Sequence, residues 1–231
     1  MKIVLIPPLL CSPLAYAPVI DTVWKHGQVT LADTRHDDTI AAMAERILRE
    51  NVGEIAVLGT SMGGYVALEV VRQAPHRVAG LALVSTTARA DSAQQVQARE
   101  RQSSLVEDGQ FGALVDAAFA GVVAAGHESD QTLLATWRAM TTPVGADAFL
   151  RQQRAVIQRD DLRALLPSIG CPTAIIHGAA DRLIPLHAAE ETAAALPSAT
   201  FTVIEGAGHF LFHEQPTVAC AAIDGWLSTL Q

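Results

Sequence analysis

The chain has 231 residues, 50% of them hydrophobic, 17% charged and 5% aromatic, and 16 Lys and Arg against 24 Asp and Glu leave a net charge of −8. A chain this long buries roughly 70% of its unfolded surface and needs no covalent or metal staple, while its apolar content and sparse charge exclude disorder and coiled coil. The acidic balance and the lack of a long basic run exclude a nucleic-acid or anionic-membrane partner from the expected reading.

At the start, Lys2, the apolar stretch up to Cys11 and Ala15-Tyr16-Ala17 imitate a signal peptide. Pro7, Pro8 and Pro13 would break the helix such a segment needs, so residues 3–6 are expected to form a short buried strand and the intact chain to be the working protein. Similar runs recur at residues 28–31, 55–58, 81–84, 173–177 and 201–204. Being apolar at nearly every position, they read as strands buried on both faces, the mark of a parallel sheet. Helical spacing lies between them. Ile40, Met43, Ala44, Ile47 and Leu48 follow the N-cap candidates Asp38 and Thr39; a second helical run extends from Leu58 towards Pro75; a third, with Val218, Ala222, Ile223, Trp226 and Leu230, follows Pro216 at a first helical position. This alternation predicts an α/β sheet with helices on both faces.

Residues 88–165 break the alternation. Phe111, Leu114, Val115, Ala118, Phe119, Val122 and Val123 make one apolar helical face, Leu133, Leu134, Trp137 and Met140 a second, and Phe149, Val156 and Ile157 a third. The expectation is a helical cap insertion over a core of residues 1–87 and 166–231. No run approaches 18 apolar residues, so no membrane span is expected. Cys11, Cys171 and Cys220 lack CxxC spacing and nearby His partners, which points to free thiols in a reducing, cytoplasmic compartment rather than to a disulfide or zinc.

Gly59-Thr60-Ser61-Met62-Gly63-Gly64 follows one predicted strand and opens a helix, the context that G-x-S-x-G requires. Such a turn forces the Ser61 backbone into strain and lifts its hydroxyl clear of the sheet, with Gly59 and Gly63 relieving the crowding. The Met62 N–H then points the same way, at a helix N-terminus that favours a developing anion. A serine needs a base, and the base an orienting acid. Of eight histidines, His26, His36, His76, His127 and His187 lie in polar or turn-like settings, and His177 reads as a buried strand residue. His209 sits in the glycine-rich turn Glu205-Gly206-Ala207-Gly208-His209-Phe210 past the last strand, at the sheet edge where open α/β sheets place ligands; its competitor His213 precedes Glu214-Gln215-Pro216 at a helix start. Asp181, in Gly178-Ala179-Ala180-Asp181, lies just beyond the strand at 173–177, whereas the alternatives Asp160 and Asp161 belong to a charged helical segment before Pro167.

The order Ser61, Asp181, His209 resembles that of the α/β-hydrolase superfamily, in which nucleophile, acid and histidine follow one another along the chain. The likeness covers nearly the whole sequence and is identified with a small capped serine esterase-like member. It implies an α/β-hydrolase fold, an eight-stranded sheet trimmed to about six mostly parallel strands with helices on both faces and a cap over the site, and it implies no metal or organic cofactor. The loop after the first strand departs from the usual His-Gly form: Pro7 and Pro8 stand there, and proline has no N–H to donate. By position the second oxyanion donor is then Leu9, beside Met62, with Leu10 as the fallback. The resemblance implies cleavage of a small carboxylic ester through an acyl-enzyme. C–C bond hydrolases, thioesterases, lactonases and perhydrolases share the pattern, and some relatives are small-molecule sensors; the carboxylate-nucleophile branches fit poorly. Apolar cap faces and scarce basic residues favour a small, uncharged, fairly hydrophobic ester.

Overall fold

In the computed structural model, which describes residues 1–196 and 198–231, the six predicted strands form one sheet in the order β2-β1-β3-β4-β5-β6. They are β1 Lys2–Ile6, β2 Gln28–Leu31, β3 Ile55–Thr60, β4 Val78–Val84, β5 Thr173–Gly178 and β6 Thr200–Ile204, and each neighbouring pair runs parallel. From β1 the chain steps to β2 on one side and returns to β3 on the other, so the direction of winding reverses between β1 and β3. That reversal opens a crevice at the carboxyl ends of the two strands.

Strand periodicity divides the core in two. Ile3, Leu5, Ala56, Leu58, Ala82, Val84 and Ile176 face one cluster, while Val4, Ile6, Ile55, Val57, Leu81, Leu83 and Ile175 face the other. The first cluster is covered by α1 (Ile20–Trp24), the short α9 (Leu211–Glu214) and α10 (Pro216–Ser228), through Val23, Phe212, Ile223 and Trp226; the second by α2 (Ile40–Glu50), α3 (Met62–Gln73) and α8 (Leu186–Ala194). Burial on both faces holds for β1, β3, β4 and β5 but not for the edges. Gln28 and Leu31 of β2, and Thr200 and Phe201 of β6, are exposed, because an edge strand has a neighbour on one side only and helices overlap it incompletely. Thr39 caps α2 as expected, its hydroxyl accepting the Ala42 N–H at 3.1 Å.

Between β4 and β5 the chain lays down α4 (Ala93–Glu107), α5 (Phe111–Val122), α6 (Gln131–Thr141) and α7 (Ala146–Ile157). Three of these match the three apolar faces read from the sequence. The fourth, α4, buries only Val106 and shows no apolar stripe. Its signal was at its start: the Ser92 hydroxyl accepts the Gln95 N–H while the Gln95 side chain accepts the Ser92 N–H, a capping box. Asp160 and Asp161 lie outside any helix, exposed on an irregular stretch before the 3₁₀ turn Arg163–Ser168. The inserted helices share the main core, since Val115, Phe119, Trp137, Met140 and Phe149 join the first cluster and Ala155 and Val156 the second.

Candidate active site

β3 ends at Thr60, and Ser61 takes φ 54° and ψ −115° before α3 begins at Met62. A non-glycine residue there carries strain of about 1–3 kcal/mol, held only if its surroundings over-determine it. They do: the Ser61 N–H donates to Val84 O at 2.8 Å, and its carbonyl accepts the Gly64 N–H at 2.8 Å and the Thr86 hydroxyl at 2.8 Å. A Cβ on Gly59 would strike the Gly63 carbonyl and one on Gly63 the Ile6 carbonyl, so both positions require glycine.

Asp181 follows β5. Its Oδ1 accepts the N–H groups of Leu183 and Ile184, each at 2.9 Å, and its Oδ2 accepts from His209 Nδ1 at 2.7 Å. Burial works against the charge on this carboxylate, but the His209 imidazole and the Ile184 N–H outweigh it and hold its pKa below the usual value. With Nδ1 engaged, Nε2 is the free ring nitrogen of His209. His177, fully buried, donates to Ile184 O at 2.8 Å, and burial lowers its pKa. His213 stacks on Phe210 with ring centroids 4.2 Å apart; its buried Nε2 has no hydrogen-bond partner among the described residues, and burial lowers its pKa. Of the three rings, that of His209 hydrogen-bonds Asp181, while His177 Nε2 stands 3.7 Å from Oδ2.

Ser61 and His209 open into one cavity of about 900 Å³, a size suited to a small organic molecule. Leu9, Leu10 and Met62 line it too. The loop after β1 turns at Leu10, whose φ is 65°. The Leu10 N–H donates to Gln152 Oε1 at 2.8 Å, and the Gln152 amide is fixed in turn by Thr34 Oγ1 at 3.1 Å. Leu10 is thereby removed as a donor. Among the described residues the N–H groups of Leu9 and Met62 have no acceptor, so both stay available to a ligand. Cys11 also faces the cavity, but burial pushes its thiol far above the ordinary value and leaves it no rival nucleophile.

Sequence reasoning passed over Glu214 as part of a helix start. Its fully buried carboxylate accepts from Gly208 N at 2.8 Å, Ala124 N at 2.6 Å and His127 Nδ1 at 2.9 Å. It ties the His209 turn to the end of α5, where Phe210 N also donates to Val122 O at 2.8 Å. An acid five residues after the candidate base was the only local signal. Among the described residues no group of three or more His, Cys, Asp or Glu side chains is placed to hold a metal ion, and no helix is long and apolar enough to cross a membrane.

The chain belongs to the α/β-hydrolase fold family, whose model matches residues 21–216. It is 30% identical over 222 residues to a pimeloyl-[acyl-carrier protein] methyl ester esterase of Xanthomonas oryzae, covering 86% of this chain and 84% of that one. To the protein of the same name from Aromatoleum aromaticum it is 29% identical over 197 residues, covering 80% and 79%. Among solved structures, a thermophilic esterase from Thermogutta terrifontis superposes with a TM-score of 0.90 at 24% identity, over 100% of this chain and 90% of that one. The enol-lactonase of Burkholderia xenovorans superposes with 0.88 at 23% identity, over 98% and 91%. The structural likenesses bear on the fold.

Proposed function

We propose that the protein is a serine hydrolase that cleaves a small carboxylic ester through an acyl-enzyme. The observation that carries this reading is the 2.7 Å bond from His209 to Asp181, with His209 lining the same cavity as Ser61, a half-buried serine on a strained backbone. Ser61 attacks the ester carbonyl as His209 Nε2 takes its proton; the Leu9 and Met62 N–H groups receive the oxyanion; His209 returns the proton to the leaving alcohol. Water activated by His209 then releases the acid and restores Ser61. Asp181 holds the imidazole in the productive tautomer throughout. Among the described residues no hydrogen bond joins Ser61 to His209, so that contact forms as substrate fills the cavity.

In this reading residues 1–87 and 166–231 are the catalytic core and 88–165 the cap. An apolar hydrocarbon portion of the substrate suits the wall made by α5, α6 and Phe210. Esterase names among relatives about 30% identical support the ester reading over thioester or C–C cleavage. The test is a panel of p-nitrophenyl and methyl esters with wild type and Ser61→Ala, together with labelling by a serine-directed phosphonate. Multiple turnover lost in Ser61→Ala, with stoichiometric label on Ser61, is expected. Label on another residue, or turnover surviving in Ser61→Ala, refutes it.

A further inference from the structure

The cavity walls differ in character. α5 and α6 present Leu114, Ala118, Trp137 and Met140, whereas α4 presents Gln95, Arg99 and Gln102 on one helical face. The charge on these walls also runs against that of the chain. In a protein with eight more acids than bases, the cavity is lined, histidines apart, by Arg89, Arg99 and Arg159 and by one carboxylate, Asp91.

Arg89 is answered by Glu191, at 2.5 and 2.6 Å. Arg99 and Arg159 share Asp91: Arg99 Nε lies 2.6 Å from Oδ2 and Arg159 Nη2 2.8 Å from Oδ1. Two guanidinium groups on one carboxylate leave one positive charge in excess. Arg159 is closed off, donating to Arg89 O and Val156 O at 3.0 Å each and lying over the Tyr65 ring at 4.1 Å, with 4% of its side chain exposed. Arg99 is open. Its Nη1 donates to Gln153 Oε1 at 3.0 Å, its Nη2 has no acceptor among the described residues, and 24% of its side chain is exposed against 1% for Asp91. The accessible member of this pair is the guanidinium group and not the carboxylate behind it. Arg99 holds Asp91 through Nε and Gln153 through Nη1, while Arg159 stands by Asp91 as an ion pair, so the Nη2 edge of Arg99 is left over from both contacts.

We propose that Arg99 binds a carboxylate on the substrate, so that the preferred ester is a half-ester of a dicarboxylic acid. Its ester carbonyl lies at Ser61, its free carboxylate at Arg99, and the hydrocarbon between them rests on the α5 and α6 wall. This rests on the esterase reading above and adds the charge at the far end of the acyl chain. A guanidinium–carboxylate pair in a partly enclosed cavity is stronger than one in open water, and a neutral ester forgoes it.

The test pairs monomethyl esters of dicarboxylic acids, from succinate to suberate, with methyl esters of the monocarboxylic acids of the same chain length. At the best-fitting length wild type is expected to favour the anionic ester by about tenfold or more in kcat/KM, a preference worth one charge-assisted bond. Arg99→Gln is expected to bring that ratio near one, chiefly by raising KM for the anionic ester. Should Arg99→Gln fail to fold, Arg99→Lys, which keeps the charge but loses the planar fork, is expected to lower the ratio by several-fold. Neutral esters hydrolysed as well as anionic ones at every length, or a ratio unmoved in the variants, overturns the carboxylate site while Ser61-dependent esterase activity stands. No Ser61-dependent hydrolysis in either series overturns both.

Discussion

Glu214 Oε2 accepts the Gly208 N–H at 2.8 Å, one residue before His209, while its Oε1 accepts the Ala124 N–H and His127 Nδ1. One buried carboxylate thus fixes the turn that carries the proposed base to the helical insertion. Gly208 fits because it has no Cβ, which would press on Ala124 N and Val123 C.

Glu214→Gln replaces one acceptor oxygen by an NH₂ group facing an N–H. We expect kcat to fall roughly 10- to 100-fold with KM little changed, since a displacement of about 1 Å at the base is enough for such a loss. Glu214→Ala leaves two backbone N–H groups unsatisfied, at about 1–3 kcal/mol each where water cannot reach them. Steady-state kinetics beside thermal unfolding separates the two effects, and a kcat unchanged in a folded Glu214→Gln would show that the tie does not position His209.

The loop after β1 offers a second comparison. Leu9→Pro removes one proposed oxyanion donor and should lower kcat by about 10² to 10³ while leaving KM near its original value. Gln152→Leu frees the Leu10 N–H and should destabilise the fold by about 1–3 kcal/mol. Near-normal turnover in Leu9→Pro would move the donor elsewhere.

Ser61→Gly and Ser61→Ala should both be inactive yet differ in stability. Glycine accepts φ 54° without strain, and the relief of about 1–3 kcal/mol exceeds its added cost in the unfolded chain of about 0.5–1 kcal/mol. Ser61→Gly should therefore melt higher than Ser61→Ala, by about 1 kcal/mol in unfolding free energy on the same scales. Equal melting would mean that the elbow stores no strain.

Asp181 makes stability depend on acid. Its folded pKa lies below the ordinary value of about 3.9, so the unfolded chain takes up this proton first. The stabilisation is whole above about pH 4 and is lost as pH falls through the folded value. Urea unfolding between pH 6 and pH 2.5 should show wild type losing stability more steeply below pH 4 than Asp181→Asn. Parallel curves would refute the coupling.

The strands, the capping of α2 and the G-x-S-x-G turn could be read from the sequence because each rests on local chemistry: continuous apolar runs, a short hydroxyl before a helix, glycines where a Cβ would meet backbone. The pairing of Asp181 with His209 was accessible because each sits just past a recognisable strand. α4 was not legible from periodicity, since it turns a polar face to the cavity and shows no apolar stripe. Glu214 was obscured for a related reason. Its partners Ala124 and His127 are 90 and 87 residues away, and no local pattern reports a bond of that span. The fall-back from Leu9 to Leu10 was decided by Gln152, 142 residues from Leu10.

The bond from Gln152 to Leu10 bears on how this enzyme could be re-engineered. Exchanging residues 88–165 for the corresponding segment of a relative, a natural way to import a new specificity, would replace the Gln152 acceptor that shapes the loop after β1 and shift the Ala124 amide that Glu214 holds. A chimera made by cutting at those boundaries inherits a misplaced base and an unsupported loop, whatever its new pocket. Redesign of the substrate wall is better confined to α4, which among the described residues makes no hydrogen bond to the His209 turn or to the loop after β1.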